Sequence, residues 1–246
     1  MTSNVSLICG DGISALGEMQ DVDLIYVDPP FNTGKTQSGS KGAYRDYDSD
    51  YDTWVDEMVR TIHGALADTG SMFWHCDWRS LPRTWLTIER HFGKKSFKND
   101  IIWSYNSGGG ARVGLSRKHD TILWFVKDAK KAKINVLREP YPRDYGDRPG
   151  FHPEGRVMND VWQVPFLSTT SVERVGYPNQ KPIALIDRII QLSTDPGDLV
   201  VDPCCGSGTT VVAAMLSNRR SIGVDLNPEA ISVCQERASL VGVDAV

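Results

Sequence analysis

The chain has 246 residues, enough for one sizeable α/β domain with a real core. It is 40% hydrophobic and 24% charged, ordinary for a globular protein, and its net charge of −4 gives no global reason to expect an anionic partner. No apolar run reaches membrane-spanning length, the first residues lack the basic start and apolar core of a secretion signal, and the five cysteines show no metal spacing. A cytoplasmic protein with reduced thiols, no metal and no membrane association is expected.

"VSLICGD" (5–11) predicts a short strand, and "GISALGEM" (12–19) one or two helical turns. "VDLIYVD" (22–28) predicts a strand so uniformly apolar that both faces must be covered. Residues 32–52 are polar, rich in Gly, Ser, Asp and Tyr, and too long for an ordinary connection, so a mobile lid or binding loop is expected there. Tyr44, Tyr47 and Tyr51 either stack on a ligand or pin that loop to the core. In "DTWVDEMVRTIHGALADTG" (52–70) the spacing of Trp54, Met58, Ile62 and Leu66 predicts a helix stopped by Gly70. "SMFWHC" (71–76) is a strand, "WRSLPRTWLTIERHF" (78–92) a helix, "NDIIWSYN" (99–106) a strand. The glycine loop "SGGGARVGLSRK" (107–118) then leads into the strand "HDTILWFVK" (119–127). Residues 127–176 lack clear periodicity and are rich in proline and glycine. "KPIALIDRIIQLST" (181–194) is an amphipathic helix. "DLVVDPCCGSGTTVVAAMLSN" (198–218) and "RSIGVDLNPEAISVCQERASL" (220–240) each read as strand, turn, helix. Strands alternating with helices predict a doubly wound, mostly parallel sheet, whose ligands sit at the carboxyl ends of the strands.

Charge is unevenly spread. Residues 79–118 hold nine basic and two acidic side chains, a net +7 that is either a solvated face or a phosphate-binding one.

Asp11, Asp28, Asp202 and Asp225 each follow a predicted strand, so four carboxylates meet at one sheet edge. Gly206 and Gly208 lie between a strand and a helix whose free N–H groups face a ligand, and Asp225 follows Asp202 by 23 residues, the spacing at which an acid meets ribose hydroxyls. The third glycine of a dinucleotide turn is missing, which favours a nucleoside carrying an amino acid over a pyrophosphate ligand. "GKT" (34–36) is no phosphate loop, because Pro29 stands where the first glycine belongs. Cys204 and Cys205 read as small fillers of the turn rather than nucleophiles.

"DPPF" (28–31), "HDTILWFVK" (119–127), "NQKP" (179–182), "DPCCGSGTT" (202–210) and "GVDLNPE" (223–229), in that order, resemble the amino-methyltransferases of DNA in their β-class arrangement. The resemblance spans nearly the whole chain. It implies a Rossmann-like methyltransferase fold and transfer of a methyl group from S-adenosylmethionine to an exocyclic base nitrogen. By position, Asp202, Gly206, Gly208 and Thr209 resemble the turn around the methionine moiety, Asp225 the ribose acid, Asp11 the residue meeting adenine, and Gln180, Lys181 and Pro182 the segment leading into a helix beside the cofactor. The family usually has phenylalanine where this chain has Cys204, which removes a ring contact.

The chemistry explains the "DPPF" corner. An exocyclic amine is a poor nucleophile because its lone pair is delocalised. Asp28 and a carbonyl of Pro29 or Pro30, fixed by the proline ring, can draw its two hydrogens and localise that pair. Phe31 offers a face to a base flipped out of the duplex. Arg112, Arg117 and Lys118 are the expected phosphate contacts. Residues 129–176 are the expected recognition insert between a catalytic half (1–128) and a cofactor half (177–246), with Arg138, Arg143, Arg148 and Arg156 as candidate base readers. Adenine N6 in double-stranded DNA is the expected target. Cytosine N4 is the alternative; a nucleotide-binding oxidoreductase or a catalytically idle DNA-binding module fits the residues less well. The resemblance leaves open a homodimer and a restriction-modification or phage context.

Overall fold

A computed structural model describes residues 5–46, 49–105, 110–146, 148–168 and 170–241. The strand β1 (Val5–Cys9) is followed by α1 (Gly12–Gly17), β2 (Val22–Val27), β3 (Lys35–Gly39) and β4 (Gly42–Asp46). Then come α2 (Tyr51–Ala65), β5 (Leu66–Cys76), α3 (Leu81–Phe92), β6 (Phe97–Ser104) and β7 (His119–Val126). Three short strands follow, β8 (Arg138–Glu139), β9 (Arg156–Val157) and β10 (Val161–Gln163). The chain closes with α4 (Ile183–Ser193), β11 (Leu199–Asp202), α5 (Thr209–Leu216), β12 (Arg220–Asp225) and α6 (Pro228–Leu240).

Eight strands form one sheet in the order β1-β12-β11-β2-β5-β7-β6-β10. Only β7 runs against its neighbours, pairing antiparallel with both β5 and β6; the other pairs are parallel. The period of two along β2 decides both cores. Ile25 and Val27 pack with α1, α2 and α3 residues such as Leu16, Met58 and Ile88. Leu24 and Tyr26 pack with Leu185 and Ile189 of α4 and Ala213 of α5. The sheet is therefore covered on both faces, which is why its strands read as unbroken apolar runs.

The order reverses between β11 and β2. After β11 the chain enters α5 on one face, and after β2 it proceeds to α2 on the other. A crevice must open between two such strands at their carboxyl ends, where Asp202 and Asp28 stand.

Two expected elements differ. The helix expected to run to Gly70 ends at Ala65, and Leu66 begins β5 opposite Val22, ahead of a register shift. Gly70 sits so close to the Val22 carbonyl that a Cβ there would lie 2.7 Å from its oxygen. Residues 32–52 are not a structureless lid. They contain the antiparallel hairpin β3–β4, whose root is closed by Asp46: its carboxylate accepts the Asn32 N–H at 2.8 Å and the Thr33 hydroxyl. Tyr47 lies outside the described residues. The insert is also less irregular than its composition suggests, since β10 adds to the sheet beside β6 and Trp103 Nε1 donates to the Val164 carbonyl at 2.9 Å. Among the described residues no helix is long and apolar enough to cross a membrane.

Candidate active site

The sheet delivers Asp28, Pro29, Pro30 and Phe31 at the carboxyl end of β2. Asp28 Oδ2 receives the ammonium of Lys181, which comes from the segment before α4 and is itself buried. Asp28 Oδ1 is buried and has no hydrogen-bond partner. A buried carboxylate oxygen left open costs on the order of 1–3 kcal/mol, so this oxygen is an acceptor with unused capacity.

Behind this corner lies His75 of β5, fully buried. Its ring stacks on Phe31 with centroids 5.7 Å apart and meets Trp103 edge-on at 5.6 Å. Nδ1 is 2.9 Å from the Tyr26 hydroxyl and 3.9 Å from Asp28 Oδ1; Nε2 is 3.3 Å from Asp120 Oδ2. Burial, reinforced by Asp28, holds the Tyr26 phenol well above its ordinary pKa. A phenol that keeps its proton is able to donate to Nδ1, and in that arrangement the Nε2 hydrogen faces Asp120. Asp120 also accepts from the Tyr105 hydroxyl at 3.3 Å. Burial is the largest single influence and would raise its carboxyl, but the His75 and Tyr105 hydrogen bonds and the nearby Lys181 charge together hold it below the usual range. Lys181, whose Nζ lies 5.6 Å from the Phe31 centroid, completes the corner. The sequence reading had Lys181 beside the cofactor only, and it missed His75, Asp120 and Tyr26. The available signal was a histidine inside the apolar run "SMFWHC".

Beside this corner lies a cleft of about 610 Å³ that runs from Asp28 past Lys181 and Tyr177 to Gly206 and Asp225. It adjoins a second hollow of about 960 Å³ lined by Asp11, Trp54, Leu226 and Asn227, and the two share Pro30, Tyr44, Cys204 and Asp225. Gly206 (φ +49°) and Gly208 (φ +76°) take left-handed backbone that most side chains disfavour. Gly208 also lies against Cys234 of α6, where a Cβ would come within 2.1 Å of the sulfur. Asp202 braces this turn with both oxygens: Oδ1 accepts the Cys204 N–H at 3.0 Å and Oδ2 the Thr210 hydroxyl at 2.5 Å. Asp225 Oδ2 accepts the Gly206 N–H at 2.8 Å and Oδ1 the Asn227 N–H at 2.9 Å, which fixes the carboxylate and leaves a second lone pair on each oxygen. Arg237 of α6, buried, donates to the Ser207 carbonyl at 2.8 Å and to Thr209 Oγ1 at 3.0 Å. Thr209 in turn donates to the Lys181 carbonyl at 3.1 Å, tying turn to corner.

The remaining expected residues divide. Asp11 caps α1 through the Ser14 N–H at 2.8 Å and borders the second hollow. Pro182 is the N-cap of α4. Gln180 lines the cleft, but its amide is held by the Val175 N–H at 2.9 Å and the Glu173 carbonyl at 2.7 Å, so it anchors the end of the insert. Burial pushes the Cys204 thiol well up, so it is no ready thiolate. Arg112 and Arg117 are exposed and Lys118 half-buried in the loop before β7. Arg143 and Arg148 are exposed in the insert, whereas Arg138 turns inward to the Gly155 carbonyl at 3.0 Å and Arg156 pairs with Glu139 at 2.7 Å.

A doubly wound sheet with a glycine turn and a polar corner at its switch point is the architecture of class-I methyltransferases, and the comparisons agree. A family model described as DNA methylase (N6/N4) matches residues 22–236, and the chain belongs to this family, whose methyl donor is S-adenosylmethionine. It is 34% identical over 241 residues to the DNA adenine methyltransferase YhdJ of Escherichia coli (strain K12), covering 93% of this chain and 80% of that protein. Among solved structures, the M1.HpyAVI–SAM complex superposes with a TM-score of 0.67 at 23% identity, covering 95% of this chain and 98% of that one. The PvuII DNA methyltransferase (cytosine-N4-specific) superposes with a TM-score of 0.74 at 19% identity, covering 96% and 87%. These two likenesses speak for the fold.

Proposed function

We propose that this chain methylates N6 of an adenine extruded from double-stranded DNA. The observation that carries the reading is Asp28 Oδ1: a buried, unpartnered acceptor beside a rigid proline corner, at the mouth of the cofactor cleft. S-adenosylmethionine, when bound, supplies an electrophilic methyl group. The chain's own residues do the rest. Asp28 accepts one amine hydrogen, and the carbonyl of Pro29 or Pro30 accepts the other. Phe31, backed on one face by His75, presents the opposite face to the base; such stacking returns roughly 1–3 kcal/mol against the few that extrusion costs. Lys181 anchors the second Asp28 oxygen so that the first keeps its aim. Asp225 receives the ribose hydroxyls and the backbone around Gly206 lies along the methionine moiety, while Asp11 borders the adenine end.

Adenine is favoured over cytosine by the relative named a DNA adenine methyltransferase, together with the aspartate that opens the corner. Sequence recognition falls to residues 129–176, where Arg143 and Arg148 are exposed beside the stacked rings of Tyr145 and Phe151, 4.3 Å apart. Five unpaired cysteines suit work in a reducing cytoplasm. A restriction-modification setting is supported by relatives named type II methyltransferases, and a homodimer would give so small an insert a longer site.

The test is incubation of duplex DNA with methyl-labelled S-adenosylmethionine followed by nucleoside mass spectrometry. N6-methyladenine is expected, and Asp28→Ala is expected to abolish it while cofactor affinity stays within about threefold, since catalytic rather than ground-state contacts are lost. N4-methylcytosine would move the target base, and full activity of Asp28→Ala would sink the mechanism.

A further inference from the structure

Two apolar side chains in the loop before β7 have no place in the reading so far. Val113 is 92% and Leu115 94% exposed. Single exposed aliphatic residues are ordinary, but these two share the tip of a preformed turn. The Ala111 N–H donates to Ser116 Oγ at 2.7 Å, and Gly114 between the two residues has φ +77°. The turn is tethered. The Tyr105 N–H donates to the Lys118 carbonyl at 2.9 Å, and the Arg117 guanidinium lies 4.2 Å above the ring of Trp78, just beyond β5. Its root reaches the base corner directly: Tyr105 bonds Asp120, Asp120 faces His75, and His75 stacks on Phe31. The loop leaves the carboxyl end of β6, which runs parallel to β2 and β5, so it projects from the same sheet edge as Asp28.

We propose that Val113 and Leu115 enter the duplex beside the target base and fill the space its extrusion leaves. The inference rests on the DNA reading above. An emptied position in a base stack is apolar and is bordered by phosphates. The turn presents the matching pattern, two aliphatic side chains with the exposed cations Arg112 and Arg117 on either side. A second copy docked through the same turn would set those cations against like charge; a nucleic acid sets them against phosphate. Insertion offsets the lost stacking, and the flipped state is held for the Asp28 corner to use.

The experiment uses the full chain and an oligonucleotide duplex carrying the site that the wild-type protein modifies, located by sequencing methylated DNA. The same duplex is also prepared with an abasic residue opposite the target base, where no pair has to be broken. Val113→Ser with Leu115→Ser is expected to lower kcat/KM on the paired duplex by about tenfold and to stay within about threefold of wild type on the abasic one, because an unpaired target leaves the stack at little cost and the barrier that insertion lowers is small there. Arg112→Gln, a phosphate contact, is expected to lose on both duplexes. Equal loss of the serine variant on both duplexes, or no loss on the paired one, overturns the insertion. A wild-type chain that methylates neither duplex overturns the DNA reading and the insertion with it.

Discussion

Four carboxylates stand at one sheet edge, and each is held by a different device. Asp28 is paired with Lys181, Asp225 is fixed by two backbone N–H groups, and Asp11 caps a helix. Asp202 is the exception. Burial, aided by the nearby Asp28 and Asp225 charges, pushes its carboxyl up to about 7 despite its two hydrogen bonds. The sign of the linkage follows. The folded state binds this proton more tightly than the unfolded state, so Asp202 adds stability below pH 4 that is lost as pH rises toward 7 and is flat above it. A shift from 3.8 to about 7 corresponds to on the order of 4 kcal/mol. Asp202→Asn keeps an acceptor for the Cys204 N–H without the charge. Urea unfolding of both proteins at several pH values should show the variant gaining on wild type between pH 4 and 7 and holding its gain above; parallel pH curves would refute the burial argument. The sequence placed all four acids at this edge, because strand ends are readable from apolar runs. It could not show Lys181 on Asp28, a contact across 153 positions, nor that His75 and Asp120 lie behind Phe31.

At the scale of elements, the hairpin β3–β4 is the part least visible beforehand. "KTQSG" and "GAYRD" carry no apolar alternation, since most of their side chains face solvent, and nothing but pairing marks them as strands. The hairpin is nonetheless docked. Lys41 N–H donates to the Gly176 carbonyl at 3.2 Å, Asn179 donates to the Tyr44 hydroxyl at 2.7 Å, and Tyr44 lines both hollows. At Gly39 a Cβ would lie 2.2 Å from the Gly176 carbonyl oxygen, which is backbone and cannot swing aside. Gly39→Ala must therefore lift the hairpin from the 176–178 segment. Overpacking of this kind costs about 1–3 kcal/mol, so titration calorimetry should find S-adenosylmethionine bound about tenfold more weakly. Unchanged affinity would show that the hairpin is no wall of the cofactor site. The helix boundary after α2 was misread for a related reason: Leu66 continues the helical spacing, but pairing with Val22 outweighs it. The two strand–turn–helix units at the C-terminal end were legible because their glycines and acids sit at punctuated positions.

Across the whole molecule, the net +7 of residues 79–118 does not survive folding as one patch. The chain passes down α3 and back up β6, so Arg90, Lys94, Lys95 and Lys98 gather at the amino edge of the sheet, whereas Arg112, Arg117 and Lys118 return to the carboxyl edge with Asp28. An eight-residue strand separates the groups by about 26 Å. Arg90 is further matched by Asp56 of α2 at 2.9 Å, an acid outside the basic stretch. A duplex seated over the crevice meets only the carboxyl-edge cations, and each phosphate they neutralise contributes about 0.9 to the slope of log affinity against log salt. Arg112→Gln with Arg117→Gln should therefore flatten that slope by about 1.8, while Lys94→Gln, Lys95→Gln and Lys98→Gln together leave it unchanged. Fluorescence anisotropy of a labelled duplex across a salt series separates the two sets. A slope that falls with the amino-edge lysines would place the DNA on the wrong end of the sheet, away from Asp28, and the base corner could not then be reached without a second molecule of the chain.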